Sequence, residues 1–152
     1  MYSVKKHYLI RRPISRAWGI VSDPRRLAAW MPGVIDVRML EDAPRGNGLT
    51  WRVILETEMG RWEIDQQIIE WREGSGIVWR DIRSFLDERP MTQITNMQTA
   101  ITLEKHAEGT LVYCMVSWNS VGIGGKVFSV LYFTRMITKM IGDAFVNLAQ
   151  GI

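Results

Sequence analysis

The residues best able to do chemistry in this sequence are an acidic and a basic side chain two positions apart, Asp81 and Arg83. They belong to segment 76–85, whose β-branched and aromatic residues predict a strand. Because side chains alternate between the two faces of a strand, both share a face with Trp79. If that face is inward, the carboxyl can act as a general acid or base and the guanidinium can hold an oxygen. If not, the two side chains meet solvent or form a structural ion pair.

Three amide side chains could orient a polar group of a ligand. Gln66 shares a predicted inward face with the apolar residues of strand 61–71, which are Trp62, Ile64 and Ile68. Asn96 and Gln98 share one face of strand 92–103, which is either inward or an exposed edge. An amide in an apolar pocket fixes the orientation of a carbonyl or hydroxyl by hydrogen bonding. We therefore take Asp81, Arg83 and Gln66 as catalytic candidates, and Asn96 and Gln98 as ligand-binding candidates.

The aromatic content predicts an apolar pocket around these groups. The chain has seven tryptophans and nine methionines in 152 residues. Any one of these large, adaptable side chains is typical of an ordinary core, but seven tryptophans in so short a chain favour a lined cavity. The predicted aromatic ligand-binding residues are Trp30, Trp62, Trp79 and Trp118, with Tyr132 on the last helix near the pocket mouth.

Other kinds of active site have little support in the sequence. Cys114 is the only cysteine, and with no basic neighbour it is interpreted as a small core residue. His7 and His106 are far apart, and neither lies in a metal-ligand spacing or assembles a Ser-His-Asp triad. We expect no metal and no cofactor.

Charge and hydropathy exclude two classes of partner and suggest a compartment. The net charge is +3, but the arginines are scattered among acidic neighbours, so we expect no nucleic-acid partner. The apolar stretch 127–149 is interrupted by Arg135, Lys139 and Asp143, so we expect no membrane span. A single cysteine and a start that does not resemble a signal peptide point to the cytoplasm.

The elements that must position these residues follow a β, α, α, six β, long α order. Segment 2–11 predicts a strand, and two short helices follow at 14–21 and 24–30, where Pro13 and Asp23-Pro24 favour helix starts. Six further strands are predicted at 34–40, 49–56, 61–71, 76–85, 92–103 and 110–118. The short turns between these six favour antiparallel neighbours.

The last element is a long helix at 127–148, preceded by a glycine-rich segment, 122–125, interpreted as a hinge. Its predicted inward stripe consists of Val127, Leu131, Thr134, Thr138, Ile141, Phe145 and Leu148. One helix is narrower than a seven-stranded sheet, so a sheet that curves around it leaves a space between them. The fold class is α+β, as a single domain over 1–152 with a curved antiparallel sheet around the C-terminal helix.

This order, with the stretches AWGIVSDP at 17–24, WMPGV at 30–34 and EGTLV at 108–112, resembles the START-like (SRPBCC) superfamily. More narrowly, it is similar to the polyketide cyclase/dehydrase and lipid-transport branch. The resemblance implies a helix-grip fold that binds a hydrophobic molecule. Members include lipid and sterol carriers, plant-hormone receptors, aromatase/cyclases and chaperone activators. Where aromatase/cyclases often carry a basic residue on the strand after a Trp-Glu pair, this chain departs from them with Gln66 and Gln67.

Three functions stay open at this point. The first is a cyclase- or aromatase-like enzyme that shapes a carbonyl-rich substrate such as a polyketide, with Asp81 moving a proton and Gln66, Asn96 and Arg83 holding oxygens. The second is a carrier or sensor of a lipid-like or aromatic ligand. The third is a protein-partner module, which would expose an apolar patch. A homodimer is compatible with each of them.

Overall fold

The computed structural model describes residues 1–151, and its first elements are a strand and two short helices. β1 (Tyr2–Ile10) is followed by α1 (Ile14–Val21), a 3₁₀ turn (Pro24–Arg26) and α2 (Leu27–Trp30). Asp23 begins the turn because its side chain accepts a hydrogen bond from the backbone N–H of Arg25. The predicted pair of short helices is therefore confirmed.

The sheet is antiparallel, and its first strand, β1, pairs with the last strand along the chain. Its other strands are β2 (Val34–Met39), β3 (Thr50–Thr57), β4 (Gly60–Arg72), β5 (Gly76–Leu86), β6 (Arg89–Pro90), β7 (Ile94–His106) and β8 (Gly109–Ser120). The order is β1-β8-β7-β5-β4-β3-β2, and β6 pairs only with β5. The seven predicted strands are confirmed, and the two-residue β6 is an eighth within a segment predicted as a turn. The two helices carry the chain from one edge of the sheet, β1, to the other, β2.

The C-terminal helix begins earlier than predicted. α3 (Gly122–Phe128) leads through a π-helical turn (Ser129–Phe133) into α4 (Thr134–Gly151). The glycine-rich segment is thus helical instead of the predicted separate hinge. Gly125 is buried, and a Cβ added there would lie 2.8 Å from the carbonyl oxygen of Gln93. Glycine at this position therefore lets the helix start pack tightly against the chain before β7.

The π-helical turn changes which side of the helix faces the sheet. The backbone N–H of Thr134 bonds the carbonyl of Ser129, five residues earlier, which inserts an extra residue into the helix. The predicted stripe was therefore wrong at its start: Val127 and Leu131 are about half exposed. The buried stripe after the turn is Phe133, Ile137, Ile141, Ala144, Phe145 and Leu148.

Ser129 explains why the turn forms at this position. Its hydroxyl is completely buried, accepts a hydrogen bond from the indole Nε1 of Trp118 at 3.1 Å and lies 2.5 Å from the hydroxyl of Ser120. The hydroxyl of Thr134 also donates to the Ser129 carbonyl at 2.7 Å. These contacts fix the helix to the end of β8 and satisfy a carbonyl that the wider turn would otherwise leave weakly bonded.

Within residues 1–151 there is no helix long and apolar enough to cross a membrane. The same residues contain no group of three or more His, Cys, Asp or Glu side chains placed to hold a metal ion.

Candidate functional site

A cavity of about 550 Å³ lies between the sheet and the helices. This volume is in the range of small-molecule binding sites. One side, here called the helical wall, is formed by α1, α2, Val34 of β2, the π-helical turn and α4, and includes Leu27, Trp30, Phe133 and Ile137. The other side, here called the sheet wall, comes from β3, β4, β5, β7, β8 and the residues joining them. It carries the polar side chains that line the cavity, among them Gln66, Asp81, Ser84 and Thr99.

The sheet carries a hydrogen-bonded row of three side chains, two of which, Gln66 and Asp81, line the cavity. The indole Nε1 of Trp51 donates to Oε1 of Gln66 at 2.9 Å, and Nε2 of Gln66 donates to Oδ1 of Asp81 at 3.0 Å. An indole N–H can only donate, so it requires the amide oxygen on its side and turns the amide nitrogen towards Asp81. Oδ2 of Asp81 has no protein partner in the described chain.

This environment makes Asp81 unusual among the carboxyl groups of the chain. Burial raises the pKa of Asp81 from 3.8 to about 7, and the hydrogen bond from Gln66 opposes that rise. The side chain is partly accessible because it faces the cavity. A carboxyl with a pKa near neutrality can both give and take a proton under ordinary conditions.

Arg83 does not join Asp81, because a bulge in β5 separates them. Gln66 pairs with Asp81 and Asp65 with Arg83, which leaves Ile82 as an extra residue. The inward face therefore changes from Trp79 and Asp81 to Ser84 and Leu86. Arg83 contributes to the cavity edge, but its guanidinium donates to Asp65 on the outer face at 2.9 Å. The prediction that Asp81 and Arg83 share the cavity face was right for Asp81 and wrong for the guanidinium.

Asp65 is a buried carboxyl group on the outer face of the sheet, and its surroundings favour the charged form. Arg52 contacts it through two hydrogen bonds, at 2.7 and 3.2 Å, and Arg83 through a third. The hydrogen bond from Arg52 is the largest influence on the pKa of Asp65, which stays below its ordinary value despite burial. Two adjacent residues of β4 therefore belong to different environments. Asp65 is a charged carboxylate on the outer face, whereas Gln66 contacts Asp81, whose pKa is about 7, on the inner face.

A second bulge decides which residues of β7 reach the cavity. Thr95 pairs with Asn119 and Gln98 with Ser117, so two residues oppose one, and Asn96 has a left-handed φ of 52°. Asn96 remains at the cavity, as an exposed residue of its rim. Beyond the bulge the face reverses, so Gln98 is exposed and does not line the cavity. Thr99 does so instead, and the alternation of Ile101 and Leu103 was the sequence signal for it.

The predicted aromatic residues divide into two groups. Trp30, Trp62 and Trp79 line the cavity and are almost fully buried. Trp118 shares the inward face of β8 but lies outside the cavity, because it packs between Tyr2 and Phe133 and bonds Ser129. Tyr132 is 62% exposed, since the π-helical turn directs Phe133 inward in its place.

Trp51 was missed as a site residue. It does not line the cavity but packs edge-to-face on Trp79, with 6.1 Å between ring centroids, and orients Gln66 from the paired position on β3. Cys114 lines the cavity, and burial raises the pKa of its thiol to about 12, so it stays protonated at neutral pH.

Comparison with known families agrees with this geometry. The model of a family described as polyketide cyclase / dehydrase and lipid transport matches residues 1–151. The chain belongs to this family. Membership confirms the resemblance found in the sequence and accounts for a sheet that holds a long helix above a cavity. No curated protein matches the chain at a significant level.

Solved structures share the fold at low sequence identity. The protein TTHA0849 of Thermus thermophilus is similar with a TM-score of 0.78 and 13% identity, over 98% of this chain and 95% of that one. A START superfamily protein of Mycobacterium smegmatis has a TM-score of 0.69 and 14% identity, over 99% and 93%. The di-domain ARO/CYC StfQ of the steffimycin biosynthetic pathway has a TM-score of 0.74 and 13% identity, over 98% of this chain and 50% of that one. At these identities the likeness establishes the helix-grip fold.

Proposed function

We propose that the chain binds a small hydrophobic, carbonyl-bearing molecule in the cavity and catalyses a cyclase- or dehydrase-type reaction on it, with Asp81 as general acid and base. The observation that carries the proposal is a single carboxyl with a pKa of about 7, held by Gln66 in a largely apolar cavity. Structural ion pairs also shift pKa values, but Asp81 has no cationic partner in the described chain.

The proposed reaction is an intramolecular aldol condensation. The carboxylate of Asp81 takes a proton from a carbon next to one carbonyl, and that carbon bonds to a second carbonyl carbon of the same molecule. The carboxylic acid then returns the proton to the resulting alkoxide, and loss of water gives a conjugated enone. The apolar walls fold the flexible substrate and exclude bulk water. Gln66 and Asn96 are proposed to hold oxygens, whereas the guanidinium of Arg83 is committed to Asp65.

A carrier or sensor of a lipid-like or aromatic molecule is the second candidate. The helical wall is apolar apart from one indole N–H, and the family description includes lipid transport as well as cyclases. In this function Asp81 and Gln66 would orient the ligand without moving a proton.

The deciding experiment compares binding with turnover. Native mass spectrometry of the purified protein identifies any molecule retained from the expression host. Heptane-2,6-dione and its longer aryl-substituted analogues serve as substrates, because their aldol condensation gives cyclohexenones that absorb in the ultraviolet. The enzyme proposal expects Asp81→Asn to bind the diketones and lose at least about 100-fold in turnover. Asp36→Asn, at an exposed ion pair with Arg38, is the control and should turn over normally.

Two other results would decide against the enzyme. If the wild-type protein binds the diketones or a retained lipid without conversion, and Asp81→Asn binds equally well, the function is carriage. If neither the diketones nor any retained molecule binds, both candidates fail.

We further propose that residues 1–152 act as one ligand-binding domain in a reducing compartment such as the cytoplasm. The single thiol, Cys114, supports this compartment. Formation of a homodimer stays a prediction.

A further inference from the structure

The helical wall contains one polar side-chain group that has no partner. Nε1 of Trp30 is the one side-chain nitrogen or oxygen of the described residues that is buried without a hydrogen bond. Trp30 is 4% exposed and lines the cavity. Buried donors are nearly always satisfied by protein, water or ligand, so this N–H requires an explanation.

Three other indoles near the cavity show how the fold satisfies such donors, whereas the N–H of Trp79 has no hydrogen bond to the described residues but, unlike that of Trp30, is not fully buried. Trp62 donates to the hydroxyl of Thr57 at 3.0 Å, Trp51 to Gln66 and Trp118 to Ser129. Trp30 instead ends α2, and the other residues that line the cavity from this part of the chain, Val21, Leu27, Met31 and Val34, offer no side-chain acceptor of the oxygen or nitrogen type. Its position is nevertheless fixed, because Asn147 of α4 donates to its backbone carbonyl at 3.2 Å.

We propose that the indole N–H of Trp30 is a ligand anchor that donates a hydrogen bond to an oxygen acceptor of the bound molecule. This anchor belongs to the helical wall, whereas Asp81 belongs to the sheet wall. The inference rests on the proposed function, since it concerns the same cavity. It narrows the ligand class to hydrophobic molecules with at least two oxygen-bearing positions. One oxygen meets the Asp81–Gln66 pair on the sheet wall, and the other meets Trp30 on the helical wall. A hydrocarbon or a fatty acid with one polar end would leave one of these groups unpaired.

The test uses a pair of probes that differ in their oxygens alone. Anthracene has no acceptor, while 9,10-anthraquinone has carbonyls on opposite edges, so that one carbonyl is directed away from Asp81 whichever edge faces Asp81. Affinities are measured by displacement of the neutral fluorescent dye N-phenyl-1-naphthylamine. Trp30→Phe removes the N–H and keeps an aromatic ring. We expect it to weaken anthraquinone binding about tenfold more than anthracene binding.

The matched control is Trp62→Phe, which makes the same change in the same cavity. Because Thr57 already accepts the Trp62 N–H, this variant should weaken both probes to the same extent. Equal weakening of both probes by Trp30→Phe would overturn the inference while leaving the cavity function intact. If neither probe displaces the dye from the wild-type protein, the proposed function fails and the inference falls with it.

A measurement on the wild-type protein covers the case in which Trp30→Phe does not fold. In protein labelled with ¹⁵N-tryptophan, a new hydrogen bond should move the Trp30 indole proton downfield on addition of anthraquinone but not of anthracene. The resonance can be assigned with Trp30→Tyr, or by elimination from variants at the other six tryptophans. No downfield shift with anthraquinone bound would contradict the anchor.

Discussion

Gln66 donates through Nε2 to Oδ1 of Asp81 at 3.0 Å while its own Oε1 accepts the indole N–H of Trp51. This relationship ties the protonation of a cavity carboxyl to a tryptophan that does not line the cavity. The amide favours the charged form of Asp81, and burial favours the neutral form. The balance leaves the group able to exchange a proton near neutral pH, and it predicts how the protein should respond to pH and substitution.

The raised pKa of Asp81 should be visible in the pH dependence of the free energy of unfolding. Its pKa is raised from 3.8 to about 7 in the folded state, so between these values the folded protein holds a proton that the unfolded chain has released. The free energy of unfolding should therefore fall as pH rises through this window, with a slope approaching about 1.4 kcal/mol per pH unit. Urea unfolding of Asp81→Asn should lack this slope. An identical slope in the variant would assign it to another group.

Breaking the row of hydrogen bonds should raise the pKa of Asp81 further. Gln66→Leu removes the donor that favours the carboxylate, and Trp51→Phe removes the N–H that orients the amide. A ¹³C-carboxyl NMR titration should place the pKa of Asp81 above its wild-type value in both variants, with the larger rise in Gln66→Leu. Trp71→Phe is the control, because the Trp71 indole donates to Glu73 at the surface. A lower pKa in Gln66→Leu would contradict the proposed role of the amide.

Removing the charge of Asp65 should destabilise the fold at neutral pH and have less effect at acidic pH. The lowered pKa of Asp65 means that its stabilising effect is present above its ordinary value and is lost as pH falls below about 3.8. Asp65→Asn should cost about 1–3 kcal/mol at neutral pH, because two arginines lose a buried partner. Asp36→Asn, which breaks an exposed pair, should cost well under about 1 kcal/mol. Equal losses in thermal unfolding would show that burial of Asp65 adds nothing.

Substitution by alanine should change the free energy of unfolding in opposite directions at two adjacent glycines, Gly124 and Gly125, at the start of the C-terminal helix. In Gly125→Ala the new Cβ would meet the Gln93 carbonyl at 2.8 Å, so the helix must shift, at a cost of about 1–3 kcal/mol. In Gly124→Ala the nearest atom is the flexible Gln93 amide nitrogen at 3.7 Å. That variant should gain up to about 1 kcal/mol from helix propensity. Guanidinium unfolding of the two variants measures the difference, and a loss of similar size in both would contradict the tight packing at Gly125.

Much of the fold could be read from local pattern. The pair of short helices followed from Pro13 and Asp23-Pro24, and the strands followed from alternation and turn residues. Gln66, Trp62 and Trp79 face the cavity as predicted, because the alternation of side chains is unbroken from Trp62 to Ile68 of β4 and in the first half of β5.

Apart from Trp118, which faces inward but packs between Tyr2 and Phe133, the misplaced site residues share one physical origin, which is an added residue that reverses a face. The bulge at Ile82 turned Arg83 outward, the bulge near Asn96 exposed Gln98, and the π-helical turn exposed Tyr132 and Val127. Each irregularity depends on contacts with another element, such as that of Ser129 in the helix with Trp118 of β8. Periodicity within one segment carries no information about such pairing.

The sequence by itself determined the element order, the apolar content and the presence of an acid on a strand next to tryptophans, because these depend on residues close together in the chain. Only the tertiary structure decided that Asp81 meets Gln66 and not Arg83, and that Trp30 keeps an unpaired N–H on the facing wall. The pKa of Asp81 and the demand of that N–H for an acceptor both arise from removal of water. Removal of water at those atoms is a property of the assembled sheet and helices, and no stretch of the chain produces it alone.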